Sequence, residues 1–210
     1  MPRIDLNVTF AEKDDAKRFG ARWDAERKVW YVPDGLDPSR FAQWLPRGPD
    51  VTILSERYFI AQSESQCWKC RRACAVFCFA LPPGHLVLEP EYDDDQTGAV
   101  VEAWHPRDEL AFVQYVTDLL PSVEKQVSAF TPHYRVDFSK TVGRSYWMNH
   151  CHACCMKQGD FELHCKPSGA FLPMDAHEAS LVTLYSIAAP FACNGDTSFG
   201  EEFAYAMRRG

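Results

Sequence analysis

The sequence predicts an α+β protein: a small β-α-β-β-α module, then a larger α+β domain built around a split, zinc-ribbon-like four-cysteine site. Three observations carry that prediction. An alternating apolar segment and a capped helix precede two aromatic strands within the first 46 residues. Two Cys-x-x-Cys pairs follow with 80 residues between them, and apolar-rich sequence succeeds each pair. Charge divides the chain in the same way. Of 22 Lys/Arg and 29 Asp/Glu, residues 1–50 hold nine of each, so the net charge of −7 resides in residues 51–210. Two charge regimes indicate two modules. The break falls at Pro46-Arg47-Gly48-Pro49-Asp50, where prolines and a glycine end an aromatic-rich segment. Residues 1–46 are then one domain, 47–64 a linker and first strand, and 65–210 a zinc-binding α+β domain.

In the first module, Ile4, Leu6 and Val8 alternate with polar neighbours, the mark of a half-buried strand. Thr9 and Glu12 form a capping-box pair, so a helix is expected from Phe10. It places Ala16 and Phe19 on one face and stops at Gly20, which tolerates the left-handed conformation that closes a helix. Trp23 and Val29-Trp30-Tyr31-Val32, separated by a polar tetrapeptide, read as a hairpin. Asp37-Pro38 starts a second helix with Phe41, Trp44 and Leu45 at core spacing.

The string Leu6-Asn7-Val8, Glu12-Lys13, Ala16-Lys17, Gly20-Ala21-Arg22-Trp23-Asp24, Trp30-Tyr31-Val32-Pro33 resembles a small bacterial domain of unknown function found in conjugative-plasmid primases and other mobile-element proteins. That resemblance covers about the first 46 residues and implies a neighbourhood of DNA-handling proteins. It carries over no primase activity, because the chain has no room for the primase catalytic domain. Lys13, Lys17, Arg18, Arg22 and Lys28 beside Trp23, Trp30 or Tyr31 are the residues for a single-stranded nucleic-acid surface, which needs basic tracking plus aromatic stacking. The competing reading keeps these aromatics in the core of a small domain and leaves the balanced charges as a solvated face.

Nine cysteines in a chain whose start lacks the basic and apolar segments of an export signal read as thiols or metal ligands, and the expected compartment is cytoplasmic. The longest apolar run, Ala73 to Leu81, is less than half of the ~20 residues that cross a bilayer, so no membrane partner is expected. Cys67-Trp68-Lys69-Cys70 and Cys151-His152-Ala153-Cys154 each let two sulfurs point at one ion while turn N–H groups donate to the thiolates. Together, Cys67, Cys70, Cys151 and Cys154 compose a closed structural Zn2+ site. The long insertion is tolerated because loop-closure entropy grows only logarithmically. Alternatives stay open: His150 or His152 replacing a thiolate, an iron–sulfur cluster, or a redox dithiol. Arg71 and Cys155 follow the pairs where knuckles often have glycine. Cys74, Cys78, Cys165 and Cys193 with His164 read either as buried thiols or as a second site. Lys69, Arg71, Arg72 and Lys157 beside the knuckles are phosphate contacts or charge compensation for a four-thiolate centre. The acidic run Glu89 to Asp95 reads as a solvated loop tip, with a hard-cation site as the alternative.

Strands are expected at Ala75–Leu81, His85–Leu88, Ala99–Trp104 and Phe161–Leu163. From Pro106, Leu110, Val113, Val116, Leu119 and Leu120 share one helical face and predict a helix. A second helix covers Val123 to Phe130, and Tyr134–Phe138 and Ser145–Met148 return in extended form to the second knuckle. The string Ser145 to Cys154 with Gln158-Gly159-Asp160-Phe161, and the earlier Cys67-Trp68-Lys69-Cys70, resemble an uncharacterised bacterial family with paired knuckles over roughly residues 65–173. Its Asn149 and Gly159-Asp160 positions are expected to support turns around the metal through Asx hydrogen bonds.

Enzyme signatures are missing. A zinc deaminase needs His-x-Glu with Pro-Cys-x-x-Cys, whereas Gln66 and His150 precede the pairs. His177-Glu178 lacks the second histidine of a zinc protease, since Leu181 takes its place. The expectation is a non-enzymatic, zinc-stabilised adaptor or nucleic-acid-binding accessory protein of mobile-element biology, with single-stranded DNA as candidate ligand. Its rivals are an enzyme with a pocket between the modules and an adaptor for a protein partner.

Overall fold

In the computed structural model, which describes residues 4–6, 8, 12–25, 27, 29–33, 35–36, 38–41, 44, 51–92, 100–199 and 202–210, the chain is α+β, mostly sheet with few, short helices. It divides into two compact units, Met1–Gly48 and Pro49–Gly210.

The first unit pairs β1 (Ile4–Leu6), β3 (Val29–Val32) and β2 (Arg22–Asp24) in that order, all antiparallel. Between β1 and β2 runs α1 (Lys13–Phe19). It ends as anticipated at Gly20, whose φ of 102° lets its N–H reach the Ala16 and Lys17 carbonyls. A Cβ there would meet Leu36 Cδ1 at 2.9 Å, so glycine is required for space as well as torsion. The described helix starts after Glu12; Thr9, Phe10 and the cap built on them lie outside the described residues. Leu6, Ala16, Trp30, Phe41 and Trp44 form the core. Phe19 is 42% exposed rather than aligned with Ala16, although its ring meets Trp44 edge-on at 5.5 Å. The expected second helix is only a 3-10 turn, Pro38–Phe41; Asp37, Leu45 and residues 46–50 are outside the described residues.

The second unit contains β4 (Ile53–Ser55), β5 (Tyr58–Gln66), β6 (Ala73–Leu81), β7 (His85–Tyr92), β8 (Val100–Arg107), β9 (Ala111–Gln114), α2 (Pro121–Phe130), β10 (Tyr134–Ser139), β11 (Arg144–His150), β12 (Lys157–Gln158), α3 (Ala176–Ala179), β13 (Thr183–Ile187), β14 (Phe191–Cys193), β15 (Asp196–Phe199) and β16 (Arg208–Arg209). They make a six-stranded sheet ordered β15-β9-β6-β5-β13-β16, a four-stranded sheet β14-β4-β7-β8 and a three-stranded sheet β10-β11-β12. β6 lies between β9 and β5, and its alternate residues serve two cores. Cys74, Val76, Cys78 and Ala80 face one core with Cys67, Cys151, Phe112 and Leu184. Phe77, Phe79 and Leu81 face the other, under α2 and β10, with Val123, Val127, Tyr134 and Trp147. No helix among the described residues is long and apolar enough to cross a membrane.

Two local expectations are corrected. Leu110 to Val116 is no helix: β8 runs through Pro106 to Arg107, and β9 begins at Ala111. Pro106 is admissible because β8 is the edge of its sheet, where a missing N–H breaks no inner ladder. Leu110 to Val113 are all buried, so the apolar run fills both faces of a central strand instead of one face of a helix. Phe161–Cys165 is a π-helical turn rather than a strand, with Leu163 and His164 buried. Asp93, Asp94 and Asp95 are outside the described residues.

Candidate metal centre

The first Cys-x-x-Cys pair lies in the turn joining β5 to β6, and the second in the turn joining β11 to β12. The turns have one geometry. The Cys67 N–H donates to the Arg72 carbonyl and the Arg71 N–H to the Cys67 carbonyl, both at 2.9 Å. The Cys151 N–H donates likewise to the Met156 carbonyl at 2.9 Å, and the Cys155 N–H to the Cys151 carbonyl at 2.8 Å. Each turn forces the residue after its second cysteine into the left-handed region, with φ 62° at Arg71 and 56° at Cys155.

The turns bring four sulfurs together. All four lie within 4.8 Å of one another. Cys67 Sγ is 3.7 Å from Cys154 Sγ, and Cys70 Sγ is 3.6 Å from Cys151 Sγ. A tetrahedron with metal–sulfur bonds of ~2.3 Å has edges of ~3.8 Å, so the separations fit one four-coordinate ion. Cys67 and Cys151 are buried and Cys70 and Cys154 half-buried. Among the described residues no other group of three or more Cys, His, Asp or Glu converges in this way. Cys74 and Cys78 belong to the adjoining core, Cys193 to the opposite one, and Cys155 and Cys165 are exposed.

Backbone dipoles prepare these sulfurs to hold a cation. N–H groups of Cys70 and Lys69 hold the Cys67 thiol down at about 6 against the opposing effect of burial. At Cys151 burial pushes upward, but the N–H groups of Cys154 and Ala153 outweigh it. Cys154 takes an N–H from Met156, yet burial and the bonds shared with Cys70, Cys67 and Cys151 push its thiol up to about 12. Four thiols this close compete for the few donors, and a cation relieves the competition for all of them.

The surrounding shell holds residues that spacing alone did not single out. Buried Gln158 donates from Nε2 to Cys67 Sγ at 3.4 Å and to the Met156 carbonyl at 2.9 Å, tying β12 to the first knuckle. The Trp68 indole N–H donates to the Lys157 carbonyl at 2.9 Å. His150 does not join the sulfurs: its Nε2 lies 3.0 Å from Asp137 Oδ2 and its Nδ1 3.0 Å from the Met148 carbonyl, while His152 is exposed. The Asp137 carboxyl is held down at about 2 by His150 and then by Lys157, whose Nζ also donates to the Phe138 carbonyl. The expected Asx turns are absent from Asn149 and Asp160. Asn149 accepts from the Phe77 N–H at 2.7 Å and donates to the Phe77 carbonyl at 2.8 Å, clipping β11 to β6. Asp160 accepts from the Tyr115 N–H at 2.6 Å. Lys69, Arg71 and Arg72 are all exposed on the first knuckle.

In the first unit, Lys13, Lys17, Trp23 and Trp30 line one cavity of about 390 Å³ together with Val8. Trp30 is buried and Trp23 is 49% exposed, with ring centroids 5.5 Å apart. Lys17 Nζ stands 5.7 Å from the Trp30 ring centroid. Core packing thus describes Trp30, while Trp23 presents its ring outward. Arg18 pairs with Asp15 at 3.1 Å, and Arg22 is exposed on β2 beside half-buried Tyr31. Lys28 is outside the described residues.

Residues 3–46 match a family described as Domain of unknown function (DUF5710). The chain is also 49% identical over 51 residues to DNA primase TraC of Escherichia coli, a segment amounting to 24% of this chain and 5% of that protein. A second Escherichia coli protein named DNA primase TraC is 54% identical over 39 residues, 19% of this chain and 3% of its own length. The chain therefore spans a small fraction of these relatives. No solved structure matches it significantly.

Proposed function

We propose that the protein is a non-enzymatic, zinc-stabilised accessory protein of a bacterial mobile element and that it binds single-stranded DNA. The observation that carries this reading is the cavity of the first unit, where Trp23 and Trp30 stand with Lys13 and Lys17 inside the stretch matching DUF5710. Stacking supplies ~1–3 kcal/mol per base without demanding a sequence, and ammonium groups beside the rings take the phosphates. The DNA primase TraC relatives supply a DNA-handling context for that stretch.

Zinc is the ion we assign to the four sulfurs. Soft thiolates in a tetrahedral set favour it, and the short sulfur separations suit one ion rather than a cluster whose cysteines bind separate irons. Four protein ligands leave no open position for a substrate or activated water, which supports a structural role.

Fluorescence anisotropy with a labelled single-stranded oligonucleotide over a salt series tests the reading. Binding is expected to weaken as salt rises, with log K falling ~0.7 per phosphate neutralised against log salt, and to weaken further in Trp23→Ala. Absence of salt-dependent binding overturns it. Elemental analysis is expected to give one zinc per chain.

A further inference from the structure

The acidic second unit distributes its charge unevenly. Neither Ser65 to Leu88 nor Phe138 to Gly159 contains an Asp or Glu, yet these stretches carry Lys69, Arg71, Arg72, Lys140, Arg144 and Lys157. The cysteine cluster draws both stretches to one place. A four-thiolate zinc centre carries a formal charge of about minus two, which six cations exceed. Five of the six are exposed. The sixth, Lys157, is committed to Asp137 and the Phe138 carbonyl.

Trp68 stands between ligand candidates Cys67 and Cys70, sharing one cavity with Lys140 and Lys157 and another with Glu64, Glu162 and Lys166. It is 55% exposed, although its indole N–H is already bonded to the Lys157 carbonyl. An exposed tryptophan so anchored presents a ring of fixed orientation, so a ligand that stacks on it need not first immobilise it. Trp68 and Gly159 line two cavities, of about 290 and 280 Å³. In the second cavity Met148, Met156 and Tyr146 add polarisable and aromatic walls, and Thr141 and Lys140 add a hydroxyl and an ammonium. Lys140 has no ion-pair partner among the described residues. A planar ring, apolar walls, hydrogen-bonding groups and an unpaired cation together suit a nucleotide unit.

We propose that Trp68 is a stacking platform for a base of single-stranded DNA, with Lys140 and the first-knuckle arginines taking the adjoining phosphates and the metal-bound turn holding the ring in place. This rests on the single-strand reading above and adds a contact point in the other unit.

The test uses the full chain, metal-loaded, with a fluorescein-labelled thymidine oligonucleotide and an unlabelled duplex competitor. Trp68→Leu, which keeps bulk without a ring, is expected to bind about 5-fold to 100-fold more weakly than wild type with its metal content unchanged. Trp68→Phe is expected to recover much of that loss, and Trp104→Leu, which removes an exposed indole from β8 in the four-stranded sheet, to bind as wild type. Lys140→Ala is expected to shallow the salt slope by about 0.7, one phosphate. The duplex is expected to compete poorly because its bases are already stacked. If Trp68→Leu sheds metal, photocrosslinking of metal-loaded wild type to a 5-iodouracil oligonucleotide decides: a crosslink mapped to Trp68 upholds the platform, and its absence there overturns it. Wild-type binding by metal-loaded Trp68→Leu alongside weakened binding by Trp23→Ala overturns the platform and leaves the single-strand reading standing. No salt-dependent binding by wild type overturns both.

Discussion

Arg71 and Cys155 occupy the same position in the two knuckles, each left-handed, at φ 62° and 56°, and each donating its N–H to the carbonyl of its knuckle's first cysteine. A side chain at such a position costs ~1–2 kcal/mol, part of which glycine returns through its larger unfolded-state freedom. Arg71→Gly and Cys155→Gly are therefore each expected to stabilise the metal-loaded protein by about 0.5–1 kcal/mol. Thermal melts in high salt, where loss of the arginine charge matters least, check this. Lower melting temperatures for both variants would show that the side chains contribute more than the torsion costs.

The sulfur cluster belongs to the core that also contains Phe112 and Leu184, so removing its ion should reach beyond the turns. Cys67→Ser and Cys151→Ser are expected to lose bound metal and to lower the melting temperature by on the order of 10 °C, as loss of several kcal/mol does in a domain of this size. Chelation of wild type is expected to reproduce the shift. Cys155→Ser, altering an exposed thiol outside the cluster, is expected to retain one ion per chain. Equal metal loss from all three variants would contradict the four-sulfur assignment.

Asn149 replaces a backbone ladder at the point where β11 crosses β6. Its amide satisfies both the N–H and the carbonyl of Phe77, in buried surroundings. Asn149→Ala strands both groups and is expected to cost about 2–4 kcal/mol, read as a lower denaturant midpoint at unchanged slope. Asn149→Asp keeps an acceptor but loses the donor and adds a buried charge. It is expected to be worse at neutral pH and to recover on mild acidification, when the carboxyl is protonated and donates again.

What the sequence revealed and what it concealed follow one physical division. Gly20, the Arg22–Val32 hairpin and both knuckle turns are local devices whose residues specify their own backbone, and they were legible. The convergence of Cys67 and Cys154 was anticipated from donor chemistry, since only a shared ion gives two such turns a common purpose. β9 was misread because Leu110, Val113 and Val116 fit a helical period, whereas burial on both faces, which erases alternation, is decided by β6 and β15 on either side. Gln158 and Asn149 belong to the string around the second knuckle, but their partners, Cys67 and Phe77, lie 91 and 72 positions away. No spacing rule connects such pairs. Trp23 and Trp30 illustrate the limit from the other side: strand neighbours of one residue type, one buried and one exposed, with no local signal to say which.

Asp160 and His164, at either end of one π-helical segment, give the fold opposite responses to pH. Burial raises the Asp160 carboxyl to about 7, against the pull of the Tyr115 N–H, and lowers the His164 imidazole to about 3. A carboxyl whose folded value lies above its unfolded one binds more protons in the native state, so its contribution is full below about 4 and is lost as pH rises to about 7. A histidine whose folded value lies below its unfolded one behaves inversely: its contribution is full above about 6.5 and is lost as pH falls toward 3. Each slope approaches ~1.4 kcal/mol per pH unit, and over the shared window they oppose one another. Asp160→Asn, which still offers Tyr115 an acceptor, is expected to gain stability relative to wild type by about 2 kcal/mol between pH 5 and 7 and to hold that gain above pH 7. His164→Gln is expected to gain relative stability in the other direction, as pH falls from 6.5 to 5. Taking differences from wild type cancels the contribution of His85, while Cys78 and Cys165, which burial and then the Asp160 charge push up, stay protonated over this range. Chemical denaturation at several pH values, with metal saturation verified at each, measures both differences. Parallel curves for wild type and Asp160→Asn would mean that the carboxylate stays ionised in the folded chain and that Tyr115 is held by a charge rather than by an acid.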